Sequence, residues 1–256
     1  MPYQLLEADL TNIRLVATDM DGTLTQAGKF TPALLQALAD LAAANIKVIV
    51  VTGRSAGWVS GLAAYLPIAG AIAENGGLYY PNGHESPIAL SSITNFDSHR
   101  QQLGDIFQKL QLEFPQIRES ADNRFRLTDW TFEVQNLSLN ELQKLGELCS
   151  KLGWGFTYSN VQCHIKPLSQ DKAAGLIQVL RDYFPQLTSE QVVTVGDSPN
   201  DESLFNPSYF KNSIGVANVR EYANQMQYQP NYITTAAEGE GFGELASILL
   251  NNKSRT

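Results

Sequence analysis

Two aspartates two residues apart, Asp19 and Asp21, are the first residues in the chain whose types and spacing suggest chemistry. They lie in the stretch V-A-T-D-M-D-G-T-L-T at residues 16–25, where the apolar run ends. A turn needs only one Asp and one Gly there, so the second carboxylate requires another explanation. A carboxylate can attack phosphorus as a nucleophile, and a second one beside it can transfer the protons that the reaction requires. We therefore predict that Asp19 is a nucleophile and that Asp21 is its general acid and base.

Two further polar clusters follow apolar runs in the same way. T-G-R at residues 52–54 follows the run at 46–51, and G-D-S-P-N-D at residues 196–201 follows the run at 192–195. Runs that are apolar throughout and alternate with helical segments are typical of buried parallel strands. Because ligands bind at the carboxyl ends of such strands, we expect these clusters to meet Asp19 at one edge of a sheet.

A divalent cation is predicted at this edge. At least four carboxylates would gather there, and like charges a few ångströms apart repel strongly. Mg²⁺ prefers hard oxygen ligands and keeps water and phosphate oxygens in its shell, so few carboxylates suffice. A phosphate group beside Asp19 would be bound by the Thr52 hydroxyl, by backbone N–H groups around residues 21–23 and by Lys172, which begins a predicted helix.

Composition narrows the class of protein and partner. The chain has 256 residues, 43% apolar and 17% charged, which is enough for a full core. A net charge of −8 without a basic run predicts no nucleic-acid partner. Short apolar runs and an N-terminus without a signal segment predict a cytoplasmic protein with no membrane partner. Cys149 and Cys163 are predicted to be reduced. Nothing in the sequence indicates the oligomeric state.

The middle of the chain has a different pattern from the two ends. From about residue 81 to 166, the order is α-β-β-α-β-β, with apolar and polar residues alternating in the strands. One-sided strands of this kind predict a small antiparallel sheet backed by helices. We therefore expect an α/β fold with a parallel-sheet core built from residues 1–80 and 167–256, and an inserted α+β unit at residues 81–166.

Two questions about substrate contacts stay open from the sequence. In V-Q-C-H-I-K, His164 and Lys166 share one polar face of a predicted strand. That face either closes over the catalytic edge or turns toward water. Arg54 likewise either contacts the substrate or pairs with a surface acid.

The motifs resemble those of the haloacid dehalogenase superfamily of phosphohydrolases. D-M-D-G-T-L-T, T-G-R, Lys172 and G-D-S-P-N-D occur in the family's order, each after the appropriate element. E-N-G-G-L-Y-Y at residues 74–80 and G-E-G-F at residues 239–242 are similar to the subgroup with a large α/β cap, which includes Cof-type and sucrose-phosphate-phosphatase-like enzymes. The resemblance implies a Rossmann-like core with an inserted α+β cap domain.

The resemblance also implies a role for each matching residue. The implied catalytic residues are Asp19 as the nucleophile, Asp21 as the acid and base, Thr52 as the threonine of T-G-R, which is the family's second motif, and Lys172 as the phosphate-binding lysine. The metal ligands are expected to be Asp19, Asp21 through its backbone carbonyl, Asp197 and Asp201. Asp201, paired with Asn200, would either hold a metal-bound water or orient Lys172. The expected substrate contacts are Gly22, Thr23, Gly53, Arg54, Asn200, His164 and Lys166. I-K-P-L-S-Q-D-K departs from the commoner small-Gly-Lys ending, and Lys172 is preferred over Lys166 because it alone opens a helix.

The predicted function is Mg²⁺-dependent hydrolysis of a small phosphorylated metabolite, with a sugar phosphate implied by the family's usual substrates. One alternative is a phosphosugar mutase, since phosphomannomutases share the D-x-D-G-T-L-T start but resemble this chain less at T-G-R. A second is a non-catalytic phosphate-binding protein. A dehalogenase is disfavoured because attack on carbon requires neither Asp21 nor a metal.

Overall fold

The apolar runs of the sequence become strands in the structure, a computed structural model that describes residues 2–84 and 86–254. The strands are β1 (Tyr3–Gln4), β2 (Leu15–Thr18), β3 (Lys47–Val51), β4 (Gly70–Ala73), β5 (Leu78–Pro81), β6 (Ile88–Ala89), β7 (Trp130–Glu133), β8 (Gly155–Tyr158), β9 (Gln162–Lys166), β10 (Val192–Gly196), β11 (Asn212–Gly215) and β12 (Tyr232–Ile233). The helices are α1 (Pro32–Ala43), α2 (Ala56–Tyr65), α3 (Phe96–Glu113), α4 (Leu139–Lys151), α5 (Lys172–Tyr183) and α6 (Glu238–Lys253).

Nine strands form the core sheet, in the order β1-β12-β11-β10-β2-β3-β4-β5-β6. The three strands that precede the polar motifs, β10, β2 and β3, are adjacent and parallel. Every residue of β2 and β10 is buried, as expected for strands covered on both faces. Their carboxyl ends therefore deliver the motifs to one edge of the sheet.

Helices cover both faces of this sheet. On one face, Val16 and Val48 pack in the same apolar cluster as Leu38 of α1 and Leu245 of α6. On the other face, residues one step along the same strands pack with α5, whose Leu176 belongs to the second cluster. This alternation with a period of two fixes the register of the strands. A one-residue slip would turn each side chain from the helices on its own face of the sheet toward those on the opposite face.

The cap is a second unit with its own core. β7, β9 and β8 form a three-stranded antiparallel sheet, and α3 and α4 pack on it through residues such as Leu103 and Leu145. The buried, unpaired thiols of Cys149 and Cys163 lie in the same cluster. This arrangement confirms the predicted fold class, a parallel-sheet α/β core with an inserted α+β unit.

Two details differ from the predicted layout. A second strand was expected before β7, but residues 121–125 form a 3₁₀ helix and residues 126–128 form no strand. Hydrogen bonds to the core hold residues 126–128 instead of a strand partner. In addition, β6 pairs with β5 in the core sheet, beyond the predicted boundary after residue 80. We propose that the chain leaves the core between β6 and α3 and returns between β9 and α5.

Within residues 2–84 and 86–254, every helix is too short or too polar to span a bilayer.

Candidate active site

The edge of the core sheet gathers four of the predicted residues into one buried site. Asp19 follows β2, Thr52 follows β3 and Asp197 follows β10, while Lys172 is the first residue of α5. Asp171 caps that helix by accepting a hydrogen bond from the Ala174 N–H. All four side chains are at most 4% exposed. Polar groups so deeply buried require partners, which they find in one another and in the loops that carry them.

The ammonium of Lys172 lies between two carboxylates. Its Nζ is 2.5 Å from Oδ1 of Asp19 and 2.6 Å from Oδ1 of Asp201. Burial opposes the charge on Lys172, but the two carboxylates outweigh it and raise the pKa of the lysine. The other oxygen of Asp201 accepts the Asp197 and Ser198 N–H groups. Of the two roles left open for Asp201, the contact that orients Lys172 is present.

Three carboxylates remain too close for one lysine to neutralise. Oxygens of Asp19, Asp197 and Asp201 lie within 4.8 Å of one another. Burial raises the pKa of Asp19 and of Asp197, and the neighbouring carboxylates raise both further, while Lys172 opposes the shift. A hard divalent cation relieves such crowding.

Glycine keeps open the space beside Asp197. Gly22 has a φ of +85°, and a Cβ there would lie 2.5 Å from Oδ2 of Asp197. Only glycine combines that backbone conformation with that approach. The three buried carboxylates offer the hard oxygen ligands that a divalent cation such as Mg²⁺ prefers.

Asp21 has a partner that the sequence did not suggest. The Arg54 guanidinium binds it bidentately, with Nε 2.8 Å from Oδ2 and Nη2 2.6 Å from Oδ1. The same guanidinium lies over the Trp58 ring, 5.5 Å from its centroid. Arg54 thus pairs with the partly exposed carboxylate of Asp21, the predicted acid and base, and its contact with substrate stays a prediction. Each carboxylate oxygen of Asp21 accepts one hydrogen bond from Arg54.

The loop after β2 uses its polar groups internally. The Thr23 hydroxyl donates to Oδ1 of Asp197, at 3.0 Å, and the Gly22 N–H donates to the Thr25 hydroxyl, at 2.9 Å. Nδ2 of Asn218 holds the other Asp197 oxygen at 2.9 Å. The Thr23 hydroxyl thus orients Asp197 and the Gly22 N–H closes the loop, while contact of either residue with substrate stays a prediction.

The polar face of β9 closes over the catalytic edge, which answers the question left open by the sequence. His164 is 2% exposed and Asp129 holds its Nδ1 at 2.8 Å. A Cβ on Gly53 would lie 3.0 Å from Cε1 of His164. This glycine therefore lets the cap approach the T-G-R loop at residues 52–54. Asn200 lines the same pocket and donates to Asn75 Oδ1 at 3.2 Å.

Little space remains between the cap and the catalytic edge of the core sheet. Ser159, Val161, Gln162 and His164 of the cap face Asp19, Asp21, Thr52 and Arg54 across a cavity of about 10 Å³, room for about one water molecule. Lys166 does not line this cavity. It lies in a neighbouring cleft, where its ammonium donates to the Gln170 carbonyl.

Sequence reasoning missed the residues that dock the cap. Arg126 donates to the Gly53 carbonyl at 2.9 Å and binds Asp129 at 2.8 Å. The fully buried Glu74 accepts the N–H groups of Ala56, at 2.8 Å, and Thr128, at 2.6 Å. The E-N-G-G motif marked Glu74 without giving it a partner, because that partner lies 54 residues away.

Glu74→Gln is expected to lower the free energy of unfolding by about 1–3 kcal/mol, because the amide nitrogen replaces an acceptor and leaves buried N–H groups unpaired. Urea unfolding measures the difference. Glu147→Gln, an exposed change on α4, is the control and should leave stability unchanged. Equal stability of the two variants would contradict a docking role for Glu74.

The chain has relatives among known proteins. Residues 16–120 match the family described as haloacid dehalogenase-like hydrolase. A phosphoglycolate phosphatase of Staphylothermus marinus is 27% identical over 93% of this chain and 98% of its own length. A phosphoglycolate phosphatase of Methanothrix thermoacetophila is 26% identical, covering 91% and 95%.

Solved structures share the fold across both units. Thermoplasma acidophilum protein 0175 superposes with a TM-score of 0.73 at 19% identity, over 93% of this chain and 98% of that one. A Synechocystis sucrose-phosphatase, in complex with sucrose and phosphate, gives 0.69 at 15% identity over 93% and 98%. Residues 16–120 are thus similar to haloacid dehalogenase-like hydrolases, and the chain shares its fold, core and cap together, with the solved structures above.

Proposed function

We propose that the chain is a Mg²⁺-dependent phosphomonoester hydrolase that acts on a small phosphorylated metabolite through an aspartyl-phosphate at Asp19. The observation that carries the proposal is the convergence of Asp19, Thr52, Lys172 and Asp197 at one buried edge, with Asp21 two residues along. The relatives named phosphoglycolate phosphatase support this reaction class. Phosphoglycolate is therefore the first substrate to test, ahead of sugar phosphates.

The residues divide the reaction into two steps. Asp19 attacks phosphorus, the bond from phosphorus to the leaving oxygen breaks, and Asp21 gives that oxygen a proton. Asp21 then takes a proton from water as the water attacks the same phosphorus, which releases orthophosphate and restores Asp19. Lys172 holds Asp19 in place and binds phosphate oxygens together with the Thr52 hydroxyl. Mg²⁺ bound by Asp19, Asp197 and the Asp21 carbonyl would neutralise charge on the phosphate.

The closed cap sets a condition on this cycle. A cavity with room for one water cannot hold a phosphate ester. The β8–β9 hairpin of the cap, or Arg54, must therefore move to admit the substrate. Closure then excludes bulk water from the acyl-phosphate. A cytoplasmic location and the absence of a nucleic-acid partner stay predictions from the sequence.

A screen of phosphorylated metabolites tests the proposed function. With Mg²⁺, orthophosphate should be released from phosphoglycolate or a sugar phosphate, and excess EDTA should stop the release. Isomerised hexose phosphate without orthophosphate would favour the mutase instead. Binding of substrates without any turnover would favour a phosphate-binding protein.

Asp21→Asn is expected to slow hydrolysis by about 10²–10⁴-fold, the usual contribution of a general acid and base. The reason is that an amide can neither protonate the leaving oxygen nor accept a proton from water. Initial rates of orthophosphate release measure the effect, with the exposed change Asp40→Asn on α1 as the control. An Asp21→Asn enzyme as fast as the control would remove Asp21 from the reaction.

A further inference from the structure

A second cavity lies beside the small cavity lined by Asp19 and Asp21, which is called the aspartate pocket from here on. It is a cleft of about 350 Å³ between the cap strands β8 and β9 and the core loops that follow β10. This volume falls in the range of about 300–1,000 Å³ that is typical of small-molecule sites. Its lining includes Asn75, Phe156, Thr157, Lys166, Glu202 and Tyr228, together with Asp171 and with Lys172 of the site described above. Asn200 borders both the cleft and the aspartate pocket.

Lys166 is a buried lysine of this cleft with no carboxylate at ion-pair distance among the described residues. Burial lowers the pKa of Lys166, and the more distant Asp171 and Asp129 oppose the shift. Lys166 is 7% exposed, and its ammonium donates to the Gln170 carbonyl. Among the described residues, Lys166 forms no other hydrogen bond and no ion pair. An ammonium has three N–H donors, so two remain for a ligand. Buried charges in proteins are normally paired, and an anion in the cleft would supply the missing partner.

A second buried donor lines the same cleft. Asn75 is 1% exposed and its Nδ2 has no hydrogen-bond partner among the described residues. Its Oδ1 is already occupied by Nδ2 of Asn200. An unpaired buried amide donor is rare in folded proteins and is usually satisfied by a ligand or an ordered water.

The two acidic residues of the cleft are only partly buried, and each already accepts backbone N–H groups. Glu202 accepts those of Gln227 and Tyr228, and Asp171 caps α5. The buried groups left with unused hydrogen-bonding capacity, the Lys166 ammonium and the Asn75 amide, are donors, which favours a ligand rich in acceptor oxygens. Phe156 and Tyr228 add apolar wall beside them.

We propose that this cleft, which adjoins the aspartate pocket at Asn200 and Lys172, is a second anion-binding site for a small organic anion. Its phosphate or carboxylate group binds the Lys166 ammonium and the Asn75 amide, and its uncharged part lies against Phe156 and Tyr228. The anion is either the second charged group of a substrate or a separate metabolite, and the kinetic experiment below distinguishes these sources.

Calorimetric titration with orthophosphate in EDTA tests the site without turnover. Without metal, the crowded carboxylates around Asp19 repel phosphate. Lys172 also lines the cleft, so it is the difference between the parent and Lys166→Met that reports on Lys166. The parent should bind phosphate, and Lys166→Met should weaken binding by about 10–100-fold, as loss of a charge-assisted hydrogen bond does. Lys109→Met, an exposed change on the cap helix α3, should bind like the parent.

A second variant keeps the test valid if Lys166→Met fails to fold. Thr157 is half-buried and lines the cleft on β8, so Thr157→Glu adds a carboxylate that repels anions while leaving Lys166 in place. Thermal melting checks that each variant is folded. Parent-like affinity in folded Thr157→Glu, or absence of phosphate binding by the parent, would overturn the site.

Kinetics with Mg²⁺ distinguishes the two sources and rests on the proposed function. If the anion is part of the substrate, Lys166→Met raises KM for phosphoglycolate but not for p-nitrophenyl phosphate. If it is separate, sulfate changes the rates on both substrates in the parent and not in Lys166→Met. If Lys166→Met shows both the KM values and the sulfate response of the parent, the inference is overturned. If the parent turns over no substrate at all, only the proposed function is contradicted.

Discussion

Asp19→Asn is expected to abolish phosphate release, with kcat lower by about 10⁴-fold or more, as when a catalytic nucleophile is removed. An amide of the same shape keeps an oxygen for the Lys172 hydrogen bond but cannot form a bond to phosphorus at a useful rate. The fold should survive, because one carboxylate fewer relieves repulsion with Asp197 and Asp201. Initial rates with phosphoglycolate and Mg²⁺ measure the loss.

The control for this variant is Asp105→Asn, an exposed change on the cap helix α3. It should retain the parent rate. Substantial turnover by folded Asp19→Asn would mean that water attacks phosphorus directly, with Asp19 acting only on the metal.

Lys172→Met is expected to reduce both stability and activity. Removing one partner from a buried ion pair costs about 3–5 kcal/mol, because the remaining charges are left without compensation. Here Asp19 and Asp201 both lose their contact with the ammonium. The rate should fall by about 10²–10³-fold, as for loss of a charged group that stabilises the transition state. Urea unfolding and initial rates measure the two effects.

Mg²⁺ should restore part of the lost stability in Lys172→Met, since a ligand that binds only the folded state stabilises it by mass action. Lys211→Met removes an exposed lysine that pairs with Glu190 and serves as the control. A Lys172→Met protein with parent-like stability and rate would show that the ammonium is not the counter-ion of the site.

The placement of the catalytic motifs could be predicted because it follows from short-range patterns. Continuous apolar runs identify buried parallel strands, and such strands present their following loops at one edge. Asp19, Thr52 and Asp197 each follow a strand of this kind. Lys172 was distinguished from Lys166 by the helix that begins at it, and only Lys172 reaches Asp19.

The docking residues could not be predicted, because their burial depends on segments distant in sequence. In the sequence alone, the E-N-G-G motif marks Glu74 without a partner, and nothing pairs Arg126 with a group of the core. Glu74 becomes buried only when the 126–128 segment of the cap covers it, and Arg126 only when it reaches the Gly53 carbonyl. The pairing of Arg54 with Asp21 joins two loops in the same way, across 33 residues.

The two cap residues expected to contact substrate lie in different cavities. His164 and Lys166 alternate on one face of β9, but at about 3.4 Å per residue their backbones are about 7 Å apart. That spacing places His164 over the aspartate pocket and Lys166 in the cleft beside it. Strand periodicity gives the face on which a residue lies, whereas the shape of the opposing core decides which cavity it lines.

Trapping the phosphorylated enzyme tests the central role of Asp19 most directly. A reaction with phosphoglycolate and Mg²⁺ is quenched in acid during turnover and reduced with borohydride, which converts an aspartyl-phosphate into homoserine. Peptide mass spectrometry should then find homoserine at position 19 in the parent and none in Asp19→Asn. Homoserine at another aspartate, or rapid turnover with none at residue 19, would contradict the proposed nucleophile.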